Sequence, residues 1–173
     1  MVFTPTGGIL MGTRSGDLDP TVVLYLIREK NVPPARVGEL LNEHAGLRGL
    51  SGLGWDMREL LAKENESPAA AEAIAVFCYQ AKKYIGAFAA ALDGVDTLVF
   101  SGGIGENASP IRDRICAGLR YLGIILDPKA NAAHAAVISA PDSKVSVRVI
   151  RTNEELIVAR HAWSVIGQPV ERE

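Results

Sequence analysis

The stretch VFSGGIGENASPIRDRI, Val99 to Ile115, decides how this chain is organised. Leu98, Val99 and Phe100 form a short apolar strand that runs into Ser101-Gly102-Gly103-Ile104-Gly105-Glu106-Asn107. Apolar residues then recur at Ile111, Ile115, Leu119 and Leu122, the spacing of an amphipathic helix. The pattern is strand, glycine turn, helix. Glycines reach backbone angles closed to other residues and, lacking a Cβ, let a ligand lie on the main chain. A helix opening after such a turn aims unpaired N–H groups and a partial positive charge at whatever sits there. A ligand cradle and a plain reversal of direction both fit this spacing, because short glycine motifs recur by chance.

Composition describes a globular protein: 173 residues, 48% hydrophobic and 22% charged. The net charge of −2 leaves no basic footprint for nucleic acid or for an anionic membrane surface. No apolar run reaches the ~18 residues a membrane helix needs, and no basic-then-apolar leader is visible, so a cytoplasmic location is expected. Cys78 and Cys116 fall in helical patterns and match no zinc spacing, which fits reduced thiols filling a core.

In the N-terminal stretch, residues 2 to 19 are rich in glycine and threonine without helical period and read as extended or looped. There Gly12-Thr13-Arg14-Ser15-Gly16-Asp17 sets one arginine between glycines. Its guanidinium could fork onto phosphate oxygens, or simply be solvated. Asp19-Pro20 reads as an N-cap and first helical position for a helix through Lys30, whereas Asp17 has no such structural explanation. Pro33-Pro34 ends that helix and opens another carrying Val37, Leu40 and Leu41, completing a helical hairpin. Leu50 to Arg58 is a second glycine-punctuated loop that brings Asp56 and Arg58 to the head of a short helix, where Asp56 could cap it. Trp55 reads as packing or as a platform for a ring.

Pro68 to Leu92 is the longest helix, alanine-rich, with a stripe at Ile74, Phe77, Cys78, Ala81, Ile85, Phe88 and Leu92. Asn131 to Asp142 is alanine-rich and ends at a proline turn, and a second strand spans Val145 to Ile150. It leads into Arg151-Thr152-Asn153-Glu154-Glu155, where Asn153 reads as an N-cap and the acidic pair suits the dipole of the helix that follows. His44, His134 and His161 share no ligand spacing and receive no role. Two strands, with a third at most near the N-terminus, against about six helices make an α/β domain that is helix-rich with a reduced or incomplete sheet. Part of the sheet is therefore expected upstream of this sequence.

Four motifs, FTPTGGILMGTRSGDLDP (Phe3 to Pro20), SGLGWDMRE (Ser51 to Glu59), VFSGGIGENASPIRDRI and RTNEELIVAR (Arg151 to Arg160), together resemble the acetokinase family, the acetate and propionate kinases of the sugar kinase, Hsp70 and actin superfamily. The resemblance covers nearly the whole chain and corresponds to the C-terminal portion of such an enzyme. It implies the C-terminal part of an RNase H-like, actin-type ATPase domain, with residues 1–173 one nucleotide-binding domain and the N-terminal domain absent. It further implies reversible phosphoryl transfer from ATP to acetate or another short carboxylate, with ADP and Mg²⁺, and a homodimer through this domain. On the resemblance, Arg14 stabilises the transferring phosphoryl and Glu154 helps hold magnesium, through water. Gly103, Ile104 and Asn107 form the adenosine pocket with Arg112 nearby, and Asp56, Met57 and Arg58 close its other side. Gly54-Trp55 departs from the serine pair usual in the family. With the first phosphate-binding loop, a second arginine and the catalytic aspartate expected elsewhere, the chain alone is expected to form no acyl phosphate. A non-catalytic nucleotide-binding or dimer-forming module is the alternative.

Overall fold

The computed structural model describes Thr4 and residues 6–166. Its first elements form the expected hairpin: α1 (Pro20–Arg28) and α2 (Pro34–Glu43). The Asp19 carboxylate caps α1 by accepting from the Thr21 N–H at 2.8 Å, and proline occupies the first turn, where its missing donor costs nothing. Next come α3 (Gly46–Ser51), α4 (Met57–Lys63) and α5 (Pro68–Ala91). The loop expected over 50–58 is thus shorter at both ends: Leu50 and Ser51 close α3, and Met57 and Arg58 open α4.

Helix α5 is the spine. Its buried residues Ala70, Ala73, Ile74, Phe77 and Cys78 join Leu47 of α3, Leu60 of α4 and Ile111 and Ile115 of α7 (Ser109–Cys116) in one core, and its alanines let those helices approach closely. A bidentate pair between Arg114 and Glu64, at 2.6 and 2.8 Å, ties α7 to the end of α4. Cys116 lies in the same core, where burial pushes its thiol up to about 12, so it stays protonated and inert.

The strands β1 (Thr97–Phe100) and β2 (Ser146–Val149) pair in parallel, Thr97 opposite Ser146 and Phe100 opposite Val149. Among the described residues this is the whole sheet, and the extended-or-looped stretch 6–19 contributes no strand. Two expectations are corrected here. The glycine turn is itself a short helix, α6 (Gly102–Asn107), and the expected helix through Leu122 stops at Cys116. Ala117 is extended at ψ 121°, so the chain leaves α7 there and reaches Leu122 through a single 3₁₀ turn, Arg120–Leu122. Leu119, just before that turn, is buried in the core at 2% exposure. Helix α8 (Pro128–Ala132) and bridges Leu126–Ser139 and Val137–Arg148 fill the connection to β2, and α9 (Glu154–Ile166) follows. The Asn153 Oδ1 accepts from the Leu156 N–H at 2.9 Å, the cap the sequence led us to expect. Among the described residues no helix is long and apolar enough to cross a membrane.

Candidate functional site

Because β1 and β2 are parallel, their carboxyl ends lie at one edge of the sheet, and the Ile150 N–H extends the pairing to the Phe100 carbonyl at 2.9 Å. That edge is where ligands sit in α/β sheets. It carries α6 from one strand and Arg151 to Glu154 from the other.

Helix α6 contains three glycines in six residues, each about 1 kcal/mol worse than alanine in a helix, so its own propensity does not hold it. Side chains hold it at both ends. At the start, where Gly102 takes a left-handed φ of 72°, the Glu106 Oε1 accepts from the Gly102 N–H at 2.9 Å. At the end, the guanidinium of Arg112, fully buried, donates to the carbonyls of Gly105 and Glu106 at 2.8 and 2.9 Å. It also reaches the Asn131 side chain and carbonyl, each at 2.8 Å. Asn131 in turn donates to the Ser109 carbonyl at 3.0 Å, and the His134 ring lies 2.9 Å from the Glu106 carbonyl. A cation against the last carbonyls of a helix is electrostatically favourable. Burial works against this charge, and no carboxylate answers it among the hydrogen bonds described; four carbonyl oxygens solvate it, with the His134 Nδ1 3.2 Å from one guanidinium nitrogen.

The rim above α6 is open. A Cβ placed on Gly103 would meet nothing within 4 Å, Gly103 and Asn107 are exposed, and Ile104 is half-buried. The Asn107 amide donates to the Gly103 carbonyl at 2.9 Å, leaving its oxygen as an outward acceptor among the described residues. These residues form an open apolar-and-amide floor. Arg112 is not part of that floor; it lies beneath and fixes its shape.

Arg14 stands on the loop between Leu10 and Gly16, whose backbone is fixed from several sides. The Leu10 N–H donates to Gln80 of α5 at 2.8 Å, Ser15 N–H to the Leu41 carbonyl at 3.0 Å, and Ala45 N–H to the Thr13 carbonyl at 3.0 Å. The carbonyls of Met11 and Gly12 accept from the Leu47 and Arg48 N–H groups, both at 2.9 Å, so the first donors of α3 are already used by the loop. Asp17, unexplained in sequence, accepts from the Gly8 N–H at 2.7 Å and from the Tyr84 hydroxyl of α5, which closes the loop onto the spine. The Arg14 side chain, by contrast, is half-buried and makes no hydrogen bond or ion pair among the described residues. It borders an open depression of about 470 Å³ together with Thr13, Asn42, Glu43 and Trp55.

Gly46 is what lets α3 begin against this loop. Its φ is 62°, and a Cβ there would stand 2.2 Å from the Met11 carbonyl oxygen and 2.7 Å from that of Arg14. Gly46→Ala is therefore expected to displace the arginine loop and to cost about 2 kcal/mol from the left-handed backbone and the overlap together. A melt should fall by roughly 5 °C. An unchanged melting temperature would mean that the loop is not seated as described.

The third segment closes on the second. Trp55 packs against Gly12, where a Cβ would lie 3.3 Å from the indole's own Cβ, so the Ser51–Asp56 segment sits beside the Arg14 loop. Asp56 caps α4, accepting from the Arg58 N–H at 2.9 Å, and grips the Arg58 guanidinium at 2.6 and 3.1 Å. Those bonds from the Arg58 guanidinium and N–H hold the Asp56 carboxyl at about 2. Met57 turns inward and is only 4% exposed, so its side chain anchors the loop in the core. Trp55 is 59% exposed and separates the Arg14 depression from a second one bordered by His44 and Arg48.

The site residues thus fall into two groups, Arg14 with Asp56 and Arg58, and Gly103, Ile104 and Asn107 with the start of α9. The side chain of Glu154 lies outside the described residues. Among the described residues no cluster of three acidic, histidine or cysteine side chains could cage a metal. Mg²⁺ keeps several waters and is bound by one or two carboxylates plus substrate phosphates, so it asks for no such cluster. Sequence reasoning missed Glu106, Thr152, Asn131 and His134. Only Glu106 left a signal, since four residues after Gly102 is one helical turn.

A model of the acetokinase family matches residues 1–160. The chain is 52% identical over 165 residues to the acetate kinase of Rhodopseudomonas palustris, covering 94% of this chain and 41% of that protein. It is 46% identical over 173 residues to the acetate kinase of Dictyoglomus turgidum, covering 98% and 43%. Among solved structures, Porphyromonas gingivalis acetate kinase superimposes with a TM-score of 0.86 at 41% identity, over 94% of this chain and 42% of that one. A propionate kinase from Francisella tularensis gives 0.85 at 35% identity, over 92% and 41%. The chain therefore spans about two fifths of the length of the curated relatives it matches. With a family model over most of its length and solved relatives sharing its helix-rich, partial α/β architecture, this chain belongs to the acetokinase family.

Proposed function

We propose that this chain is the C-terminal, nucleotide-holding domain of an acetate kinase, which moves a phosphoryl group reversibly between ATP and acetate to give acetyl phosphate and ADP. The observation that carries the reading is Arg14: the loop on which it stands is fixed by five hydrogen bonds, while its guanidinium is left unpaired among the described residues. Phosphoryl transfer asks for that combination, because catalysis is mainly positioning plus positive charge on the equatorial oxygens, and a rigidly mounted guanidinium supplies both without reorganising. Gly103, Ile104 and Asn107 hold the adenosine against the open floor of α6. Asp56 and Arg58 border the opposite side, with Met57 acting from the core as the anchor of that segment. Glu154 steadies Mg²⁺ through water from the start of α9. Mg²⁺ supplies neutralisation of phosphate charge when bound. The homodimer and the cytoplasmic location belong to the same reading; Tyr79 and Phe88 leave apolar surface on α5 at 66% and 60% exposure for a second copy.

The test is a chimera in which this chain replaces the matching segment of the Rhodopseudomonas palustris acetate kinase. It should form hydroxamate from ATP, acetate and hydroxylamine, whereas the 173-residue chain alone should form none. A folded chimera that binds ADP by calorimetry but makes no acyl phosphate would favour the non-catalytic module instead.

A further inference from the structure

We propose that Glu106 is a positioning residue that clamps the nucleoside floor to the head of α9, so that the two sides of the nucleotide site are set together. The inference rests on the kinase reading above. A single oxygen, Glu106 Oε1, accepts three hydrogen bonds: from the Gly102 N–H, the Thr152 N–H and the Thr152 hydroxyl, each at 2.9 Å. Gly102 begins α6, which supplies the floor, and Thr152 stands immediately before the Asn153 cap of α9 and two residues before Glu154. The strand pairing ends with the Ile150 N–H on the Phe100 carbonyl, so beyond that bond Glu106 is the link between the two loops among the hydrogen bonds described.

The rest of the geometry stiffens one side of this clamp. Arg112 holds the carbonyls of Gly105 and Glu106 from below, which fixes the backbone from which the Glu106 side chain reaches out. The α9 side has no comparable support: every described residue from Arg151 to Ile166 is exposed. The head of α9 is therefore located chiefly through Glu106. Bonds to a charged acceptor contribute more than those to a neutral one, and those donated by backbone N–H groups carry no side-chain entropy on the donor side. Glu106 itself need not touch the nucleotide. It acts by making the position of Gly102 depend on that of Thr152, and so couples adenosine contact to the metal-side carboxylate.

The experiment uses the chimera described above with Glu106→Ala, Glu106→Gln and Thr152→Val. Without nucleotide, amide hydrogen exchange at Gly102 and Thr152 should accelerate together by about tenfold in Glu106→Ala, the loss of roughly one charge-assisted bond at each donor. Glu106→Gln keeps an acceptor oxygen at the same reach and should restore protection to within about threefold. Thr152→Val keeps the N–H bond and should show the smaller effect. In turnover, Glu106→Ala should raise the KM for ADP and the half-saturating Mg²⁺ concentration in parallel, by about tenfold each, with rescue by Gln. A merely structural role would lower the melting temperature without that paired shift. Unchanged exchange at Thr152 in Glu106→Ala overturns the clamp, as does a rise in the ADP KM with Mg²⁺ dependence unmoved. Failure of the parent chimera to bind ADP overturns the nucleotide reading instead, and it is seen before any Glu106 variant is compared.

Discussion

Arg14→Ala in the chimera is expected to lower acetyl phosphate formation by about a thousandfold while changing the affinity for ADP by less than about threefold. The size follows from what one guanidinium does for a transferring phosphoryl group, where its removal costs on the order of three powers of ten or more. The selectivity follows from position. Arg14 lies with Asn42, Glu43 and Trp55, whereas the open floor is at Gly103 and Asn107, carried by helix α6. Losing the side chain should leave the fold intact, because the loop is held through the carbonyls of Met11, Gly12 and Thr13 and the N–H of Ser15 rather than through the guanidinium. An unchanged melting temperature with kcat down a thousandfold is the expected pair of results. Arg14→Lys should recover little, since an ammonium cannot fork across two oxygens. Full turnover in Arg14→Ala would remove this residue from the chemistry altogether.

Arg112→Met is expected to do the opposite, with its effect on stability first. The side chain is fully buried and its donors satisfy four oxygens, those of Gly105 and Glu106 and both of Asn131. An apolar replacement fills space but leaves those oxygens buried without donors, and the cost of such a loss is about 3–5 kcal/mol. For a chain of this size that lowers the melting point by roughly 10 °C. Arg112→Lys should fall between, because three donors on a compact head cannot reach four acceptors arranged around a planar fork. Nucleotide affinity should fall with stability, since the same bonds shape α6. A Met variant that melts like the parent would show that the carbonyls find water or other donors.

The comparison of these two arginines also separates what is legible in a sequence from what is not. Both lie in glycine-bearing motifs, Arg14 read as a possible fork onto phosphate and Arg112 placed by the resemblance beside the adenosine pocket. One has an unpaired head among the described residues, on a fixed loop; the other is consumed by carbonyls from α6 and by Asn131, nineteen residues further along the chain. Nothing in local spacing distinguishes them, because the partners of Arg112 come from α8 and from the end of a helix that glycine content argues against. Asp17 and Asp56 divide in the same way. Asp56 is visibly a cap from its place before α4, while the bond from Tyr84 to Asp17 spans 67 positions and could not be anticipated.

By itself the sequence determined the helical hairpin, the long alanine-rich α5, the two strands, the caps Asp19, Asp56 and Asn153, and the family through its four motifs. Those features depend on periodicity, proline and short polar side chains acting on their own neighbours, which are local effects written in order along the chain. The tertiary structure alone decided that Gly102 to Asn107 is a helix rather than a turn, that α7 stops at Cys116, and that Glu106 and Arg112 hold α6 in place while the Arg14 guanidinium is unpaired among the described residues. In each case the deciding energy is a hydrogen bond or a buried contact between segments far apart in sequence, and such contacts outweigh the weak local preference of a few glycines.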